Sequence, residues 1–365
     1  MAVLHVYEDE GKLQEPDPGK TPYQSTRLYT QPYDLVIESL LSQIENGTVH
    51  LRHISDRPKF QRRYVWPDYL ASRLIESILM NVPIPPCYLA QNKDFRLDVI
   101  DGQQRMLSVY RFLKNEFKLS GLEVLEELNG KRSFEIPSDL KRKIETYTLR
   151  CVVVTNDSDP DIRFEVFERL NTSTMPLNAQ ELRNSIYRGA LNDLLGQLAN
   201  DPSWLSILNR KQPDSRMRGE ELILRFFAFH LHGLEGYKTP QKSWLNEVAD
   251  QGRGFTIDEI AVLSEAWKNT LHKCLLVFDA RECFRRLPIT NRQVVNRALM
   301  DLTMHSLRDT PTEVVESISK EYYCRVERLF EDEEFNDLIT RAIDHKSRTR
   351  RRFDIWSEKV TFGLF

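Results

Sequence analysis

The chain has 365 residues, of which 41% are hydrophobic and 29% charged, enough apolar side chains for one large core or two smaller ones. Its 51 Lys and Arg stand against 54 Asp and Glu, a net charge of −3, which excludes a uniformly basic nucleic-acid coat but leaves room for a local basic groove. No run approaches the ~18 consecutive apolar residues of a bilayer span. The start MAVLHVYEDEGKLQEPDPGK lacks the basic head and apolar stretch of a secretory signal. The five cysteines, Cys87, Cys151, Cys274, Cys283 and Cys324, contain no Cys-x-x-Cys pair, so neither a disulfide framework nor a cysteine zinc site is indicated. The expectation is a chain with no membrane segment in a reducing, cytoplasmic setting.

Residues 1–33 are polar and proline-rich and read as an arm with little structure of its own. Asp34 then stands where a helix N-cap is expected, ahead of Leu35, Val36, Leu40, Leu41 and Ile44 at helical spacing, with Gly47 as a stop. Val49, Leu51 and Ile54 suggest a short strand. After the basic, aromatic stretch DRPKFQRRYVWP, Asp68 opens a helix that VPIPP ends. Strands are expected at 87–90 and 97–100, a helix from about Gln103, and a valine-rich strand at 149–154. A helix follows from Asp159-Pro160 to near Leu170, and a long one from Ala179 to about Leu198. Past residue 200 nearly every periodic segment is helical: 217–232, 256–279, 290–307, 313–330 and 332–343. The simplest organisation is an arm (1–33), an α+β domain (34–200) and a helical domain (201–365).

The most informative stretch is LDVIDGQQR, Leu97 to Arg105, which predicts a strand, a tight turn and a helix start. Backbone N–H groups at a helix N-terminus favour an anion. Gly102 allows a backbone geometry or a close approach that a side chain would block. Gln103 and Gln104 can donate hydrogen bonds, and Arg105 offers a planar fork that suits phosphate. Asp101 is placed either to orient Arg105 or to hold Mg²⁺ through oxygen. An ordinary strand-to-helix turn with a surface arginine accounts for the same residues. Upstream, FQRRYVW sets Arg62 and Arg63 beside Tyr64 and Trp66, a combination that pairs phosphate contact with base stacking, or simply caps the core. Downstream come FERLN, ending at Asn171, and LNAQELRN, with Glu181 and Arg183; that pair reads more readily as a solvated ion pair than as catalytic groups.

Taken in order, FQR-x-Y-x-W, VIDGQQR and FERLNT…LNAQELRN resemble the N-terminal domain of GmrSD-type modification-dependent restriction systems over about residues 34–190. The resemblance implies a ParB/sulfiredoxin-like fold, a small mixed sheet with helices, here followed by a mainly α-helical domain. It implies binding of a nucleoside triphosphate, with hydrolysis in some members, coupled to sensing or cutting foreign DNA as in anti-phage defence. By position it assigns Arg62, Tyr64, Gly102, Gln103, Gln104 and Arg105 to the nucleotide and Asp101, Gln104 and Arg105 to catalysis. Asp101 is the candidate Mg²⁺ ligand, and Trp66, Asn171, Glu181 and Arg183 are supporting residues. Arg63 departs from the pattern, standing where relatives often carry proline.

Such systems normally include a His-Asn-His nuclease, which needs a histidine base and a compact metal cluster. The eight histidines do not show that pattern, so an HNH-nuclease partner subunit is expected. DNA, modified or not, is an expected partner, and a homo-oligomer is compatible. No Gly-x-x-x-x-Gly-Lys-[Ser/Thr] loop is present, which excludes a P-loop NTPase. Arg348, Arg350, Arg351 and Arg352 form a basic run suited to DNA phosphates, or to pairing with the acidic stretch at 331–334. The alternative reading of the whole chain is a non-enzymatic DNA-binding sensor or scaffold that uses the turn structurally.

Overall fold

The computed structural model describes residues 27–51, 66–92, 94–170, 178–214, 216–289 and 294–364. Arg62, Tyr64 and Asn171, like most of the expected arm, lie outside the described residues. Contacts divide the chain after Asn178, giving one compact unit from Tyr23 to Asn178 and another containing Ala179–Phe365.

The first unit is α+β. Its strands are β1 (Thr30–Pro32), β2 (Leu35–Val36), β3 (Val49–His50), β4 (Cys87–Gln91), β5 (Leu97–Asp101), β6 (Thr148–Leu149) and β7 (Cys151–Val154). Its helices are α1 (Ile37–Glu45), α2 (Asp68–Leu79), α3 (Gln103–Leu113), α4 (Ser138–Glu145) and α5 (Pro160–Leu170). A five-stranded mixed sheet runs β1-β7-β4-β5-β3. The β4–β5 pair is antiparallel with Tyr88 opposite Asp101, and the ladder slips between Tyr88 and Leu89. β4 lies parallel to β7 with Cys87 opposite Cys151, and β3 lies parallel to β5. Leu40, Ile75, Ile78, Leu89, Met106, Phe112 and Val153 are fully buried in one core beneath these elements. Apolar residues at i, i+3 and i+4 on α2 (Ala71, Leu74, Ile75, Ile78, Leu79) give it the stripe that packs there.

Three expectations change here. The end of the arm is structured: Thr30–Pro32 is an edge strand paired with β7, a position where proline is tolerated because one side of the strand needs no donor. Asp34 does not cap a helix. Leu35 and Val36 pair instead with Leu149 and Thr148, and α1 begins only at Ile37. The valine-rich strand is interrupted at Arg150, so β6 and β7 join different sheets.

The second unit is helical: α6 (Ala179–Ile186), α7 (Ala190–Leu198), α8 (Pro202–Ile207), α9 (Arg218–His232), α10 (Gln241–Gln251), α11 (Ile257–Val277), α12 (Arg297–Arg308), α13 (Thr312–Leu329), α14 (Glu333–Thr340) and α15 (Lys346–Trp356). α9 is the central helix; Leu222 through Phe229 are all buried, as expected of a helix with neighbours on every side. Trp204 meets Trp267 edge-on at 5.2 Å, and Phe226 meets Trp267 at 5.4 Å, arrangements that satisfy the ring quadrupoles. The long helix expected over 179–198 is broken by Tyr187-Arg188-Gly189 into α6 and α7, and both halves belong to this helical unit. Among the described residues no helix is long and apolar enough to cross a membrane.

Candidate functional site

β5 ends at Asp101 and the chain turns at once into α3. Gly102 is the N-cap, with φ of +89°. Two requirements fall on it. An L side chain is strained at that φ, and a Cβ would sit 2.8 Å from Cys87 Cβ and 3.3 Å from Cys87 Cα. As a glycine, Gly102 offers no side-chain cap to α3. The first N–H groups of any helix lack an acceptor within the helix and lie at the positive end of its dipole, which is the local chemistry of an anion cradle.

Arg105 sits one turn into α3 and folds back. Nη2 is ion-paired with Asp101 Oδ2, while Nη1 donates to the carbonyls of Pro85 and of Pro86, the latter at 3.2 Å. The side chains are 13% and 25% exposed, so the pair is well shielded compared with an ordinary surface bridge. In this state the guanidinium fork is spent on the protein: it clamps the end of β5 to the loop that enters β4. Gln104 Oε1 accepts from the backbone N–H of Trp66 at 2.9 Å, which ties the turn to the end of the basic, aromatic motif. Trp66 itself is half-buried against the core. Gln103 Nε2 is buried and has no acceptor among the described residues. Below the turn the Cys87 and Cys151 thiols are neighbours, and Cys151 Sγ donates to the Leu149 carbonyl at 3.7 Å. The Cys151 thiol beside it, aided by the Arg105 charge and opposed by burial, pulls Cys87 below the usual thiol range. The Cys87 thiol, aided by burial and opposed by Arg105, pushes Cys151 above it.

The structure thus brings Asp101, Gly102, Gln103, Gln104, Arg105 and Trp66 together in the first unit. The sequence reading missed Pro85, Pro86 and Cys87. It took VPIPP only as a helix stop, and carbonyl acceptors leave no signature in side-chain identity.

Glu181 and Arg183 lie in the second unit and are not a solvated pair: they are 4% and 2% exposed. Arg183 donates through Nε to Asn246 Oδ1 at 2.9 Å and through Nη1 to Glu221 Oε2 at 2.9 Å and Gln180 Oε1 at 3.2 Å. Glu181 pairs with Arg216 at 3.4 Å. Nearby, burial first and then the Asp214 and Glu181 charges push the Glu220 carboxyl up to about 8.

The C-terminal basic run is α15, and its arginines are partnered. Arg348 pairs with Asp337 at 2.6 Å, Arg350 with Glu235 at 2.7 Å and Arg351 with Glu334 at 2.7 Å. Arg352 is wholly buried, 3.5 Å from Asp301 and donating to the Ile343 carbonyl. The expectation of a DNA contact therefore fails for Arg352: helical periodicity turns it inward while Arg350 and Arg351 stay at the surface. Among the described residues no group of three His, Cys, Asp or Glu side chains is arranged to hold a metal ion.

No curated protein and no solved structure matches the chain. A family model does: that of the GmrSD restriction endonuclease, N-terminal domain, over residues 37–188. The match starts at the first residue of α1 and contains the whole Asp101–Arg105 turn together with Trp66, Glu181 and Arg183. Over residues 37–188 the chain is thus similar to the GmrSD restriction endonuclease N-terminal domain family.

Proposed function

We propose that the chain is a nucleotide-binding and hydrolysing component of a DNA restriction or anti-phage defence system. Its first unit would be a ParB/sulfiredoxin-like module acting in the cytoplasm with a separate HNH nuclease. The observation that carries this reading is the α3 N-terminus opened by a left-handed glycine at the end of β5, inside the stretch the family model matches. Backbone N–H groups of the first turn and the orphaned Gln103 amide are the phosphate donors. Arg105 holds the turn in shape and adds positive potential. Asp101 keeps Oδ1 for Mg²⁺, which with a nucleotide commonly takes one or two carboxylates and completes its shell with phosphate oxygens and water; the ion would supply charge neutralisation at the phosphates.

The test is titration calorimetry and phosphate release on the full chain with ATP, GTP and CTP in Mg²⁺, with and without modified DNA. One nucleotide is expected to bind and turn over. Gln103→Ala is expected to weaken it about fivefold, the worth of one hydrogen bond, and Arg105→Ala by about tenfold or more. Absence of binding, or unchanged binding in both variants, overturns the reading.

The second reading is a non-enzymatic DNA-binding sensor. It is favoured by the engagement of the Arg105 fork within the protein. In that case DNA binding is indifferent to nucleotide and to Arg105→Ala, and it weakens with salt through the surface arginines Arg350 and Arg351.

A further inference from the structure

Cys87 and Cys151 face one another as in-register partners on the parallel strands β4 and β7. Both are buried side by side. Neighbouring strands lie roughly 4.8 Å apart, within the ~4.4–6.8 Å Cα separation that a disulfide bridges. Gly102 packs directly on Cys87, so closely that no Cβ fits between them. The carbonyl that precedes Cys87, on Pro86, is one of the acceptors holding Arg105. The thiol pair therefore supports both the backbone of the turn and its clamp.

We propose that Cys87 and Cys151 are an oxidation site: a hydroperoxide converts them to a disulfide, and the Asp101–Arg105 turn loosens in response. With hydrogen peroxide, the Cys87 thiolate attacks the O–O bond, giving the sulfenic acid and hydroxide, which takes up the proton Cys87 released. The Cys151 thiol then attacks that sulfur, expels the second water and closes the S–S bond. Two thiols are oxidised and one peroxide is reduced to two waters. The bond, at about 2.05 Å, draws the Cys87 sulfur toward Cys151 and away from the surface on which Gly102 rests. The low-lying Cys87 thiol and the Arg105 charge beside it favour the thiolate that the first step needs. Access comes through fluctuation of the turn itself, since the thiols are otherwise covered.

The chain carries its own controls. Cys274 and Cys283 are a second pair of buried thiols in the helical unit, but burial first, then the neighbouring Cys274 thiol, pushes Cys283 well up, holding it protonated. Cys324 is exposed. The full-length protein is treated with hydrogen peroxide, the remaining thiols are alkylated, and digests are weighed; hydrogen exchange is followed in parallel. The expected result is a loss of about 2 Da confined to the Cys87–Cys151 peptide pair and reversed by dithiothreitol. Amide exchange in Gly102–Met106 should rise about tenfold in the oxidised form. Cys151→Ser is expected to leave Cys87 trapped as a dimedone-reactive sulfenic acid. The proposal is overturned if the pair stays reduced, if Cys274–Cys283 oxidises as fast, or if the disulfide forms with exchange in the turn unchanged. The effect on ligand binding rests on the nucleotide reading above, which is tested by titrating the reduced chain and fails separately.

Discussion

At position 102 a single methyl group decides two things at once. It would meet Cys87 Cβ at 2.8 Å, and it would have to be carried at φ +89°. The backbone cost is about 1–2 kcal/mol and the overpacking about 1–3 kcal/mol. Gly102→Ala is therefore expected to destabilise the first unit by about 2–4 kcal/mol, read as a lower urea midpoint at unchanged slope. A midpoint equal to wild type would mean that the strand and the turn do not meet as described. Adjacent arginines on α15 make the complementary case. Arg352 is wholly buried against Asp301, which Arg225 also holds at 2.6 Å. Removing Arg352 takes one of two arginines from Asp301, strips the Ile343 carbonyl of its donor and empties a wholly buried site, so Arg352→Ala is expected to cost about 3 kcal/mol. Arg351→Ala, at the surface, is expected to leave the midpoint where it is. Equal losses for the two would contradict the inward turn of residue 352.

Elements were legible in the sequence where one period ran between clear stops. α2 begins at Asp68 and ends before VPIPP, and β4, β5 and α3 fall where the pattern placed them, because strand, glycine and helix signals adjoin without overlap. Legibility failed where tertiary partners decided. Leu35 and Val36 fit a helical stripe equally well, but Leu149 and Thr148 offer them a strand partner. α10 and α15 were not anticipated; α15 is so rich in Arg that its apolar side, Phe353, Ile355 and Trp356, is short and is completed by Arg352. The turn was legible as chemistry, since Gly and Arg types announce it. The fate of its arginine was not, because its acceptors are carbonyls about twenty residues away. The break after Ile186 shows the same limit. Gly189 has φ +151°, and a Cβ there would lie 2.5 Å from Arg253 Cα and 2.7 Å from its carbonyl oxygen. A glycine amid helical periodicity is tolerated often enough that only this contact marks it as a boundary. Gly189→Ala is expected to cost about 3 kcal/mol, from strain plus clash. A calorimetric melt of the full chain reads it, and an unshifted transition would show that the two helices tolerate a side chain at their junction.

For the molecule as a whole, pH is the condition to which its buried groups are most exposed, and the groups pull in opposite senses. Burial, with Asp214 and Glu181 beside it, raises the Glu220 carboxyl from 4.5 to about 8. Between those values the folded chain binds the proton more readily than the unfolded one, so stability falls as pH rises through that window. His230 and His305 line a small pocket with Phe226, Met300, Met304 and Arg308. Burial first, then the Arg308 charge, lowers both imidazoles from 6.5, while Asp309, and Asp301 for His305, oppose the shift. Their contribution is present above 6.5 and is lost as pH falls through their folded values, because the unfolded chain then takes up the protons. Toward pH 8 Glu220 lowers stability, while the Cys87 thiol, held below its ordinary 9, works the other way as it ionises in the fold. Below 6.5 the two histidines lower stability on acidification and Glu220 raises it, so the contributions oppose one another. The carboxylates held low, such as Asp309 and Glu76, act only below about 4.5, outside this range. The Glu220 contribution is expected to make urea unfolding easier from pH 6.5 to 8. Glu220→Gln should remove that fall in stability and gain roughly 2–4 kcal/mol at pH 8, and below pH 6.5 it should steepen the loss on acidification, because Glu220 no longer opposes the two histidines. A midpoint at pH 8 no higher in Glu220→Gln than in the wild-type chain would mean that Glu220 is ionised in the fold, with a cation or solvent reaching it that the packing of α9 excludes.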